Sequence, residues 1–71
     1  MTTDLTDRIV LALQSIAFWR MKVINARRVA EQDISQYRDK SWNNLLYVTT
    51  RLLDAEDHWI ALLREKWKES E

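Results

Sequence analysis

From Leu5 the chain steps by four and three through an apolar series: Ile9, Ala12, Ile16, Trp19, Val23, Ala26 and Ala30. This spacing is the seam of a helix packed lengthwise on another helix. Val10, Leu13, Ala17 and Ile24 lie beside the seam and widen it. A second seam runs through Leu45, Val48, Leu52, Ala55, Trp59 and Leu62. A parallel line accompanies it through Trp42, Leu46, Leu53, Ile60, Leu63 and Trp67, with Thr49 and Glu56 interrupting. The second helix is therefore apolar over a face wider than one partner helix can cover.

The ends of both patterns carry suitable chemistry. Thr3 or Asp4 can cap the first helix. Asp4 and Asp7 sit in its first turn and Arg27 and Arg28 near its far end, the signs that the helix dipole favours. Lys66 and Lys68 close the second helix in the same way. No Gly and no Pro occur anywhere in the chain, so the break between the helices has to come from capping chemistry. The polar stretch 31–36 is the best candidate, and Asp33 followed by Gln36 reads as a capping box. Residues 39–41 come second.

The expected fold is all-α, a single domain over 1–71. It has one helix over about 4–30, a turn at about 31–35 and a second helix over about 36–69. A short loop makes the two helices antiparallel. The outer apolar line of the second helix finds no partner within such a hairpin. Apolar surface of that extent marks an interface, and pairing two hairpins into a four-helix bundle buries it. Trp42, Leu46, Leu53, Ile60, Leu63 and Trp67 are the expected dimer contacts. For Trp42 and Trp67 the second reading, behind the dimer, is as anchors for another partner.

Size points the same way. A core made by 71 residues is marginal for an isolated chain, and small scaffolds usually add a disulfide, a metal or a second copy. There is no Cys and one His, which leaves the second copy. No metal and no cofactor are expected. The formal net charge is zero, which argues against a nucleic-acid binder that works by neutralising phosphates. The charge is unevenly placed: residues 20–40 carry Arg20, Lys22, Arg27, Arg28, Arg38 and Lys40 against Glu31, Asp33 and Asp39, while residues 41–71 are net acidic. The N-terminal stretch lacks the basic region of a signal peptide. The uninterrupted apolar runs are far shorter than a membrane span. A cytoplasmic protein with no membrane association is expected.

Little in the sequence suggests catalysis. His58 has Asp54 four residues earlier, but a metal site needs three or four ligands and no second His or Cys exists. Asp54, Glu56 and Asp57 read as a solvated helix face. No convergent site emerges, so the chain is not expected to be an enzyme. The surface of most interest is the hairpin tip, where Tyr37 and Arg38 adjoin Arg27 and Arg28. Tyr and Arg are over-represented among binding hot spots. The plain alternative is a capped turn whose Tyr37 packs on the first helix.

Taken whole, the chain resembles the small anti-quorum-sensing proteins encoded by Pseudomonas phages. The likeness is carried by Met1-Thr2 and Thr3-Asp4-Leu5 at the start and by Phe18-Trp19 late in the first helix. It continues with Tyr37-Arg38-Asp39 and Trp42, then Ile60 and the charged tail with Arg64 and Glu65. The residues around Tyr37 and the run 43–51 depart from the family pattern, which leaves the target open. The resemblance implies a dimeric helical hairpin that inhibits a LasR-type quorum-sensing activator by occluding its DNA-binding domain. It also implies an action on the type IV pilus assembly ATPase PilB, with Tyr37 as a partner anchor. Two other readings compete. One is a nucleic-acid-binding hairpin dimer like the plasmid regulator Rop, which would gather bases on a bundle face rather than at the tip. The other is a small anti-defence protein of the anti-CRISPR kind.

Overall fold

The computed structural model describes residues 4–70, with side chains as far as Glu69. It is an all-helical hairpin: α1 spans Leu5–Gln32 and α2 spans Arg38–Ser70, packed against each other along their length. At about 1.5 Å per residue the helices should measure roughly 42 and 50 Å. The molecule is accordingly a rod of 54 × 21 × 15 Å.

Asp4 caps α1, its side chain accepting from the Thr6 N–H at 3.2 Å and its carbonyl from the Arg8 N–H at 3.1 Å. Thr3, the other candidate cap, lies outside the described residues. At the far end α1 stops without a left-handed residue, the usual helix terminator being a Gly that this chain lacks. Asp33 swings into extended backbone at φ −79°, ψ 110°, while its N–H still reaches the Val29 carbonyl at 2.9 Å.

Asp33 then organises the turn, which falls at 33–37. One of its oxygens accepts from the Ser35 N–H at 2.8 Å and from the Ser35 hydroxyl; the other accepts from the Ser41 hydroxyl at 2.7 Å. The Ser35 hydroxyl oxygen in turn accepts from the Tyr37 N–H at 3.1 Å, and its carbonyl accepts from Arg38 at 3.2 Å. The capping box expected between Asp33 and Gln36 is not what starts α2. Asp33 is fully engaged with Ser35 and Ser41, and Ser35 caps a helix that begins at Arg38, four residues later than that pairing required.

The core is the two seams. Ala12, Ile16, Ala26, Ala30, Val48 and Leu62 are buried, and all six are seam positions. Leu5, Ile9, Trp19, Val23, Leu45, Leu52, Ala55 and Trp59 are half-buried. Three alanines among the six let the helix backbones approach closely but bury little area each. At the open end Lys66 Nζ reaches the Thr6 hydroxyl oxygen at 3.0 Å, tying the last turns of α2 to the first turn of α1.

By length and composition α1 is apolar enough to cross a membrane, although its uninterrupted apolar runs are short. Arg20 and Lys22 lie near its midpoint. Each would cost about 2.5–3.5 kcal/mol or more at a bilayer centre. A helix packed in a bundle has the same composition without that cost.

Candidate partner-binding surfaces

The hairpin presents two unlike faces, and sequence position relative to the seam decides which residue falls on which. Two shallow hollows lie between the helices. One is lined by Trp19, Lys22, Asn25, Ala26, Val29, Asn44, Tyr47 and Val48, the other by Arg8, Leu11, Ala12, Ser15 and His58. Apart from seam residues, every one of these stands one place before a seam position. Residues one place after a seam position therefore line the opposite face.

That opposite face is apolar. All six residues expected to form a dimer contact lie on it and are exposed: Trp42, Leu46, Leu53, Ile60, Leu63 and Trp67, from 38% for Leu63 to 69% for Trp67. Val10, Leu13 and Ile24 of α1 adjoin them and are also exposed. Thr49, which interrupts the line, donates its hydroxyl to the Leu45 carbonyl at 2.7 Å and so brings no unmet polar demand. Glu56 is half-buried there.

Trp59 and Trp19, both seam residues, are half-buried rather than enclosed. The Trp59 indole N–H is buried and has no hydrogen-bond partner. Trp19 opens toward the other face, where a cluster forms that the sequence reading missed. The Tyr47 ring meets Trp19 edge to face at 6.5 Å, and Phe18 meets it at 5.2 Å. Arg51 lies over Trp19 at 5.3 Å and Lys22 over Phe18 at 5.4 Å. The available signal was two aromatics, Phe18 and Tyr47, each one place before a seam residue.

At the tip Tyr37 is 61% exposed. Ile34 beside it is 96% exposed, a tip residue that helical periodicity does not single out. Arg38 is the first residue of α2. Arg27 and Arg28 lie further back on α1, and Arg27 Nε is paired with Glu31 at 2.8 Å. The tip thus assembles Ile34, Tyr37 and Arg38, with the two α1 arginines behind.

His58 is exposed and faces the hollow that Arg8 also lines, and a neighbouring cation opposes metal binding. Among the described residues no group of three or more His, Cys, Asp or Glu could hold a metal ion. No protein-family model, no curated protein and no solved structure matches the chain.

Proposed function

We propose that this protein is a dimeric helical-hairpin inhibitor and not an enzyme. It binds a host regulatory protein through the hairpin tip. The first candidate target is the DNA-binding domain of a LasR-type activator, the target that the resemblance to phage anti-quorum-sensing proteins implies; a PilB-type ATPase is the second. The observation that carries the reading is the tip itself. Ile34 and Tyr37 project from a tightly hydrogen-bonded turn into solvent, at 96% and 61% exposure. A large apolar side chain beside an exposed Tyr and Arg38, held on a rigid turn, has the chemistry of a binding anchor.

Area supports the dimer. A compact monomer of 8.6 kDa exposes about 4,700 Å², whereas this chain exposes 5963 Å². The excess, about 1,300 Å², exceeds the roughly 800 Å² that each partner contributes to a standard interface. The apolar face also carries Arg20 and Glu56, charges of both signs on one surface, which suits a self-complementary two-fold contact. Burying it in a four-helix bundle leaves two tips free, one at each copy's turn.

The test is competition. A LasR-type activator bound to labelled promoter DNA is titrated with this protein and the DNA released is followed by anisotropy. Release by the wild type, and none by the Ile34→Ala/Tyr37→Ala double variant, supports the reading. DNA that stays bound at every concentration removes this target.

A further inference from the structure

We infer that the trough between α1 and α2 on the face opposite the apolar one is a docking site for an acidic amphipathic helix of a partner protein. The inference does not depend on the tip. It does not require the proposed dimer and is compatible with it, because that dimer uses the other face.

The trough has a volume of about 460 Å³. Its floor is apolar, made by the Trp19 ring, Ala26 and Val48, and Val29 at its edge is 56% exposed. It runs lengthwise between two antiparallel helices, the shape into which a third helix lays its apolar ridge. A site for a small molecule would enclose most of its ligand; this one is open along its length.

Charge selects the partner. The trough residues include Lys22 and no acid, and Arg51 stands over Trp19 beside it. Arg51 makes no ion pair with Asp54, the next acid along that face. Both cations rest on aromatic rings, Lys22 on Phe18 and Arg51 on Trp19. This contact modestly favours both charges at the trough's edge, and their N–H groups remain available to carboxylates. Asn25 and Asn44 add amide donors at the tip end. The same arrangement disfavours single-stranded nucleic acid, which binds by stacking bases on open aromatic faces. Here a cation already lies over each of the Phe18 and Trp19 rings.

The probe is a labelled amphipathic helical peptide of Leu, Ala and Glu, compared with its Gln and Lys counterparts and with oligo-dT. Binding is read by anisotropy, by shifts of the Trp19 indole and of the Lys22 and Tyr47 amides in a two-dimensional NMR spectrum, and by sedimentation. The Glu peptide is expected to bind, to move those signals and to leave the association state unchanged. The Lys22→Glu/Arg51→Glu variant, its helicity checked by circular dichroism, should bind it at least about tenfold more weakly, equivalent to roughly 1.4 kcal/mol, and should take the Lys peptide instead. Equal binding of the Gln peptide overturns the proposal. So does preference for oligo-dT, or unchanged binding by the charge-reversed variant. Failure of the Glu peptide to bind overturns it as well. If the peptide instead moves the Leu53 and Ile60 signals and splits a dimer, the apolar face is the docking site. If the wild type sediments as a monomer yet binds the peptide at the trough, the dimer reading fails and this one stands.

Discussion

The hydroxyl of Ser41 donates to Asp33 at 2.7 Å, joining the first turn of α2 to the residue that ends α1. Ser35 supplies two more donors to the same carboxylate. A chain without Gly or Pro thus reverses direction on one ionised side chain. The hydrogen bonds from Ser35, then that from Ser41, hold the Asp33 carboxyl below its ordinary value, with Arg38 adding a small effect of the same sign.

The pH dependence follows from that direction. A carboxylate whose folded pKa is depressed contributes stability that is complete above its unfolded value and lost as pH falls through the folded one. Thermal melts should therefore show a fall in stability below the ordinary carboxylate range, and Asp33→Asn should reduce that acid-side dependence. An Asp33→Asn variant with the wild-type acid profile would remove Asp33 from this role. Ser35→Ala, which leaves the Tyr37 N–H without its acceptor, should cost about 0.5–2 kcal/mol at neutral pH, the range for a lost helix cap.

Trp59 offers a second check, because its indole N–H is buried without a partner. An unsatisfied buried donor costs about 1–3 kcal/mol. Trp59→Phe removes that donor and keeps most of the apolar ring, so denaturant midpoints should be unchanged or higher. Trp59→Ala should lose about 3 kcal/mol, the low end for removing a large aromatic, since this one is half-buried. A Phe variant as unstable as the Ala variant would show that the N–H is satisfied in solution.

The two faces can be told apart by a matched pair of substitutions. Leu53 and Leu11 are almost equally exposed in the single hairpin, at 56% and 57%, but lie on opposite faces. Leu53→Glu places a charge in the proposed dimer contact. A buried unpaired charge costs several kcal/mol, so self-association should weaken by a factor of about 100 or more. Leu11→Glu should leave it unchanged. Sedimentation in which both variants behave alike would mean that the apolar face does not mediate self-association.

The seams were legible because burial in a helix pair depends on spacing alone; all six buried residues lie on them. The outer line Trp42, Leu46, Leu53, Ile60, Leu63 and Trp67 was legible for the same reason. The turn was less so. Asp33 was recognised as a capping residue, but which donors it takes depends on backbone geometry, and it took Ser35 and Ser41 rather than engaging Gln36. The cluster of Phe18, Trp19, Tyr47, Lys22 and Arg51 was not legible at all. It is assembled across two helices, and the alignment that brings Tyr47 and Arg51 to Trp19 is not written in either helix's own periodicity. Ile34 lies inside the expected turn, but periodicity says nothing of whether a lone apolar residue there packs back on the helices or stands in solvent, as it does at 96% exposure.

The tip gives the last and most direct prediction. Ile34 and Tyr37 touch little of their own chain, at 96% and 61% exposure. The Tyr37 backbone is fixed by its N–H to Ser35 and its carbonyl to Ser41, so the turn does not need the ring. Tyr37→Ala and Ile34→Ala should each change folding stability by less than about 0.5 kcal/mol, as surface substitutions do. Circular dichroism and sedimentation should be those of the wild type. Against the target, each should cost about 2 kcal/mol or more, the hot-spot threshold, measured by calorimetry or by DNA release from the regulator. Arg27→Ala should matter less than Arg38→Ala, because Glu31 already holds Arg27 at 2.8 Å whereas no ion pair holds Arg38. Loss of fold in Tyr37→Ala would make it a structural residue of the turn. Full target binding by the Ile34→Ala/Tyr37→Ala double variant would move the recognition surface off the tip and onto the Trp19–Tyr47 trough.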